Sequence, residues 1–329
     1  MLPMPLRCLA ALLVLCLSAH AQPKGWQKGK GYGPVYGPQD EVGSLNAINT
    51  PERILDALRQ VKTGRVFDLG VRVANDSFKF AGHAPTQITT YRTPEGFQRE
   101  TGQKTGGYHS CALFTSDNIG TQIDSLAHIT KGPDHRWYNG FREAEHGSDF
   151  GVAKAGADTI PPIVGRALLI DVAGWKGVAA LPANFPIGPK ELQAALAAQR
   201  MDVQAGDIVL IRTGTLRYWG ESGGDHAKIG EHDSAGLTLA GAKWLVEEKG
   251  AVMLGADTSG LEVGKDPDHP NASLLVHTYL LVDQGVHIGE FHNLEGLASA
   301  KVYRFTYVAL TNRFKNATAG FALRPIAIE

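Results

Sequence analysis

Three runs decide the fold: ALLIDV at 167–172, PKELQAALAAQ at 189–199 and DIVLIR at 207–212. The first and last are continuously apolar and rich in Leu, Ile and Val, the pattern of strands buried on both faces. The middle run reads as a helix. The alternation continues with LAGAKWLVEEK at 239–249, a helix stopped by Gly250, and AVMLGA at 251–256, another strand. Apolar strands separated by helices define an α/β protein. Residues 302–310 (VYRFTYVAL) and 322–328 read as further strands, with antiparallel pairing open to them. No internal repeat, low-complexity tract or linker forces a boundary, so a single domain is expected.

Toward the N-terminus, residues 1–21 combine Arg7, an apolar run at 8–18 and the small-x-small triplet Ala19-His20-Ala21. That pattern is an export signal, and its apolar run is too short to span a bilayer. The expectation is an exported protein, periplasmic or secreted, with its mature chain starting at Gln22 and no membrane attachment after cleavage. Residues 22–46 are rich in glycine, proline and aromatics without a period, and read as an extended N-terminal arm held by Trp26, Tyr32 and Tyr36. Thr50-Pro51-Glu52 supplies a helix start, with Ile54, Leu55, Leu58 and Val61 on one stripe and Gly64 as the stop. Residues 66–73 (VFDLGVRV) alternate like a strand.

The 32 basic and 33 acidic residues nearly balance, with no like-charge run. This composition lacks the electrostatic footprint of nucleic-acid binding. Of three cysteines, Cys8 and Cys16 fall in residues 1–21. Cys111 is then alone and forms no internal disulfide; within S-C-A-L-F it reads as a buried, inert thiol.

The chemistry concentrates in D-N-I-G-T-Q-I-D-S-L-A-H, residues 117–128. As a strand, it would set Asn118, Gly120, Gln122 and Asp124 on one face and Ile119, Thr121 and Ile123 on the other. A carboxylate beside an apolar layer needs a partner, because an unpaired buried charge is costly. Asp124 is therefore the leading catalytic or ligand candidate, although an aspartate before Ser125 can equally cap a turn. His128, four residues on, can return beside Asp124 and serve as a general acid or base. Asn118 and Gln122 offer amide oxygens, which suit hard cations better than zinc, or they satisfy neighbouring backbone.

A second constellation spans 277–294, H-T-Y-L-L-V-D-Q-G-V-H-I-G-E-F-H-N-L. Val286, Ile288 and Glu290 share one face of its strand, and a glutamate closing an apolar row requires either a cationic side chain or a metal. His277 can supply a nitrogen ligand. His287 and His292 read as exposed residues or as supports behind the ligands. A third stretch, G-A-D-T-S at 255–259 followed by Glu262, sits where α/β proteins place ligand sites, with a simple turn at Asp257 as the alternative. Trp137 and Tyr138, in the loop GPDHRWYNG, can wall a substrate pocket or pin the loop. No G-x-S-x-G, H-E-x-x-H or P-loop lysine occurs.

G-T-Q-I-D-S-L-A-H resembles the signature H-x-G-T-H-x-D-x-P-x-H of the cyclase-like family of metal-dependent hydrolases, which includes bacterial kynurenine formamidase and isatin hydrolase. D-E-V-G-S-L-N, R-A-L-L-I-D-V, G-D-I-V-L-I-R-T-G, G-A-D-T-S and G-V-H-I-G-E-F-H-N-L are similar to the family in the same order. The resemblance implies a β/β/α fold with a mixed sheet over residues 47–329 and a homo-oligomer. It also implies a divalent ion at Asp124, His277 and Glu290, with His128 in proton transfer. Asn118 and Gln122 stand where the motif has two histidines, and Leu126 replaces its proline. The chain thus resembles the branch with G-T-Q in place of G-T-H, which implies manganese or zinc as the ion, with Gln122 and Asn118 as further donors. The expected activity is hydrolysis of an amide C–N bond in a small molecule, a cyclic amide or an N-formyl arylamine. The alternatives are an exported binding protein that has lost catalysis, and a lactonase or lyase on the same site.

Overall fold

The apolar runs assemble into one sheet. The computed structural model describes residues 22–220 and 224–329, so the export signal expected at 1–21 lies outside the described residues. The sheet strands in chain order are β1 (Val66–Asp68), β2 (Gln122–Asp124), β3 (Ile163–Asp171), β4 (Ile208–Arg212), β5 (Met253–Ala256), β6 (His287–Glu290), β7 (Arg304–Ala309) and β8 (Ile326–Ile328). They are hydrogen-bonded in the order β1-β8-β7-β3-β4-β5-β6-β2. β3 to β6 run parallel, whereas β7, β8 and β1 on one side and β2 on the other join antiparallel. The result is an α/β single domain with a large mixed sheet.

Burial explains the continuous apolar runs. Leu168, Leu169, Ile170, Val209 and Leu210 are all fully buried, so both faces of the central strands are covered. Helix α1 (Pro51–Leu58) lies against the sheet, and its N-cap Thr50 accepts the Arg53 N–H. It ends at Leu58, and Gly64 with φ +75° turns the chain toward β1 instead. Helix α2 (Pro189–Gln199) inserts Leu192, Ala195 and Leu196 into the core. The strand expected at 66–73 stops at Asp68, where the Gly70 N–H bends back onto Asp68 Oδ1 at 3.0 Å.

The arm is pinned by its aromatics. Trp26 Nε1–H donates to the Val246 carbonyl at 2.8 Å, and the buried Tyr32 donates its hydroxyl to the Gly250 carbonyl at 2.8 Å. Tyr36 donates to Lys24 O within the arm itself. Cys111 departs from expectation: it is exposed. It lies on a hairpin of Gln87–Arg92 and Ser110–Phe114 that forms its own two-stranded sheet, and most residues of both strands face solvent. An apolar five-residue run is buried only where a second layer packs on it, and this hairpin lacks one. Among the described residues no helix is long and apolar enough to cross a membrane.

Candidate metal centre

The edge strand β2 builds half of the site. Its antiparallel pairing with β6 sets Gln122 opposite Glu290 and Asp124 opposite Ile288. Paired residues and residues two apart project from the same face, so Gln122, Asp124 and Glu290 converge. His277 arrives from the helix Leu275–His277, which continues through a wider turn at Thr278–Gln284 before Gly285 reverses the chain at φ +63°. The Asp124, His277 and Glu290 donor atoms lie within 4.8 Å of one another, and all three residues are buried. His277 Nε2 is 3.5 Å from Glu290 Oε1 and 3.9 Å from Asp124 Oδ2.

The four-residue alternation expected from Asn118 to Asp124 holds only for Gln122 and Asp124. Gly120 adopts φ +60°, and a Cβ there would stand 2.7 Å from Val73 Cγ2, so the chain curls before β2 begins. Asn118 reaches the site differently: its Oδ1 accepts from Gln122 Nε2 at 3.0 Å, while its own amide donates to Asp117 Oδ1 at 2.8 Å. Its oxygen is thus occupied in aiming Gln122, which also donates to Glu290 Oε2 at 2.7 Å. Among the described residues, three buried side-chain oxygens have no hydrogen-bond partner: Gln122 Oε1, Asp124 Oδ1 and Asp124 Oδ2.

Glu262, seen in the sequence only as the end of the third stretch, proves central. Its Oε1 lies 2.6 Å from His277 Nδ1, and its Oε2 accepts the Val276 N–H at 2.9 Å. A carboxylate behind a ring nitrogen fixes which nitrogen faces the cluster, here Nε2. Burial opposes charge on His277, but hydrogen bonds to Glu262 and Glu290 and their negative charge outweigh it, pushing its pKa up to about 10. Glu290 is shifted upward as well, by burial and by the charge of Asp124, with His277 pulling the other way. Asp257 is neither a cavity residue nor the cap of its own turn: its carboxylate accepts the Thr213 N–H, the Thr213 hydroxyl and the Gly214 N–H at 2.7–2.8 Å and so holds the loop after β4.

His277 and Glu290 bring the cluster to the wall of a cavity of about 440 Å³, with Asp124 and Gln122 buried behind them. His128 lines it, returned by the Ser125 turn through its N–H to Ser125 O at 3.1 Å, with its ring centroid 6.5 Å from that of His277. Phe80, Ile129, Leu237, Val263 and Leu274 give the cavity apolar walls. Trp137 and Tyr138 do not line it, which corrects their expected place as substrate-binding residues. Both are buried in the main core, Trp137 Nε1–H donating to Lys154 O at 3.2 Å and Tyr138 OH to Asp40 Oδ2 at 2.8 Å. The two rings part ways in the core, Tyr138 against Gly285 and the arm's Asp40 and Trp137 beside His146.

His287 and His292 are fully buried supports, so the exposed reading of them is excluded. His287 packs Nδ1 at 2.8 Å from the Asp124 carbonyl and Nε2 at 3.1 Å from the Val42 carbonyl, tying β2 to the arm. His292 places Nδ1 3.1 Å from Glu290 O and Nε2 2.8 Å from Tyr307 OH, and burial lowers its pKa to about 4.

An α/β domain with a buried acid–imidazole cluster at the edge of a mixed sheet defines the class, a protein built around a candidate metal centre. The family model described as "Putative cyclase" matches residues 67–263, and the chain belongs to that cyclase family. A solved structure described as a novel cyclase is 29% identical over 89% of this chain and 96% of its own, with a TM-score of 0.77. Isatin hydrolase A from Labrenzia aggregata, bound to benzyl benzoate, superposes with a TM-score of 0.60 at 19% identity, covering 84% of this chain and 99% of its own. Isatin hydrolase A from Ralstonia solanacearum gives 0.59 at 19% identity, over 85% and 98%. The isatin hydrolases share the fold. The search of curated proteins gave no significant match.

Proposed function

We propose that this protein is a metal-dependent hydrolase that cleaves an amide C–N bond of a small molecule, a cyclic amide or an N-formyl arylamine. The observation that carries the reading is the set of orphaned oxygens. Both Asp124 oxygens and Gln122 Oε1 are buried without a donor, beside His277 Nε2 and Glu290. Buried carboxylates left so are costly, and a cation is the partner that satisfies all of them together.

The residues present fit a divalent ion: Asp124, His277 and Glu290 would hold it, with Gln122 Oε1 as a fourth donor. One nitrogen against several oxygens is a harder donor set than the zinc-preferring kind, which favours manganese. Bound there, the ion would supply Lewis acidity, activating water and polarising the amide carbonyl. Glu262 holds His277 with Nε2 toward the cluster, and Asn118 holds the Gln122 amide in register. His128, half-buried on the cavity wall, carries the proton to the leaving nitrogen. The apolar walls take the ring of the substrate and exclude water from the reacting amide. The residues 1–21 pattern supports action outside the cytoplasm, which N-terminal sequencing of the mature chain checks.

Protein purified without chelator is assayed for metal content and against a panel of cyclic and N-formyl amides. About one divalent ion per chain with turnover of at least one amide is expected. No metal, no turnover and tight ligand binding would favour an exported binding protein instead, and esterase or elimination products would favour a lactonase or lyase.

A further inference from the structure

Asp233 and Ser259 face the cavity together and take no part in the metal cluster. The Ser259 N–H donates to Asp233 Oδ1 at 2.8 Å, and the Ser259 hydroxyl donates to Asp233 Oδ2. Each Asp233 oxygen therefore keeps a further lone pair, and the hydroxyl, its proton committed, can only accept from a ligand. Among the described residues no lysine or arginine lines the cavity, and Asp233 has no ion-pair partner.

The other lining carboxylates are committed. Glu262 accepts from Val276 and pairs with His277. Glu290 accepts from Gln122 and pairs with His277. Asp266 accepts the Leu239 and Asp268 N–H groups. Three imidazoles line the cavity with the neutral Asn118, Ser234 and Ser273: His277, already paired with Glu262 and Glu290, and His83 and His128. Burial, then the neighbouring His128 ring, lowers the pKa of His83, so at neutral pH it does not supply the missing cation. Burial raises the pKa of Asp233, as expected of a carboxylate no cation compensates.

We infer that the Asp233–Ser259 pair is the specificity element of this cavity: it selects amides bearing a hydrogen-bond donor, best an ammonium group, on the apolar body away from the scissile bond, and rejects those bearing a carboxylate there. The part concerning amides rests on the proposed function; the charge preference rests on the cavity alone. A carboxylate set beside Asp233 would meet like charge in a half-buried site, a juxtaposition that weakens binding. An ammonium group would gain a charge-assisted hydrogen bond on an already oriented acceptor.

The test uses 4-(aminomethyl)formanilide and 4-carboxyformanilide on the metal-loaded protein, with Kd from calorimetry and kcat/KM from formate release. The ammonium compound is expected to bind at least about tenfold tighter than the carboxylate. Asp233→Asn is expected to shrink that ratio to about threefold or less, mainly through Kd and KM rather than kcat. Equal or tighter binding of the carboxylate by the wild type overturns the inference, as does an unchanged ratio in a folded Asp233→Asn variant. The wild-type ratio decides alone if that variant does not fold. A preserved binding preference without any formate release would sink the amide reading and leave the charge preference standing.

Discussion

Asp207 and Asp124 are both fully buried aspartates, and the fold treats them in opposite ways. Asp207, just ahead of β4, bonds to Arg166 Nε, accepts the Gln204 N–H at 2.8 Å and lies 3.3 Å from Arg304 Nη1. Asp124, on β2, has no donor on either oxygen, and its nearest cationic neighbour is His277 Nε2 at 3.9 Å. The first is a structural charge with its counter-charges built in. The second is a charge whose compensation has to come from outside the chain. A buried carboxylate thus points to function less by its burial than by the partner it lacks.

The sharpest way to break this contrast is to remove both carboxylates in turn. Asp124→Ala is expected to abolish metal binding and lower turnover about 10³-fold or more. In chelator, the same change should leave unfolding stability equal to wild type or raise it by up to about 3 kcal/mol, since an unsatisfied buried group has gone. Asp207→Ala should do the reverse, costing about 3–5 kcal/mol because Arg166 is left buried and uncompensated. Denaturant titration of both variants reads the sign. If the two lose comparable stability in chelator, Asp124 is a structural charge as well.

Next in size is His128→Ala, expected to keep the metal while turnover falls about 10²-fold. Loss of metal from this variant, with retention in Glu290→Ala, would reverse the roles assigned to the two. Glu262→Gln should weaken metal affinity about 10–100-fold through loss of the carboxylate behind His277, measured by competition with a chelating dye.

The pH dependence separates the metal-free and loaded states. His277 holds a proton up to about 10 in the folded metal-free chain against an ordinary value of 6.5. A raised folded pKa stabilises fully below 6.5, and that contribution is lost as pH rises through about 10. The metal-free melting temperature should therefore fall between pH 7 and pH 10. An incoming ion must displace the same proton, so apparent metal affinity should climb over this window by up to about tenfold per pH unit. A flat affinity profile would mean that His277 is not a ligand. The smallest effect expected is at Tyr138→Phe, which should cost about 1 kcal/mol through the lost hydrogen bond to Asp40 and leave KM unchanged.

How much of this could be read without coordinates varies by element. Residues 189–199 form the helix α2 with the bounds expected, because Pro189 and the apolar spacing are local signals. Gln122 and Asp124 share a face because strand side chains alternate with period two, a property of the backbone alone. Upstream of Gln122 the same logic fails at one residue, where Gly120 with positive φ ends the alternation. Cys111 and Trp137 show the opposite error. Cys111 sits in an apolar run yet is exposed, and Trp137 sits in a polar loop yet is buried, because only contacts between distant segments decide which side chain is covered and by what.

The sequence by itself determined the α/β class, the places along the chain of the central apolar strands and the residue types that can hold a cation, since those follow from local periodicity and side-chain chemistry. Tertiary structure decided which of them meet. Pairing of β2 with β6 joins residues 168 apart in the chain, Gln122 and Glu290. It aims His277 through Glu262, leaves the Asp124 oxygens unpartnered and sends Trp137 and Tyr138 into the core. Such register and packing arise from long-range contacts competing for one buried space, and no local pattern encodes the winner.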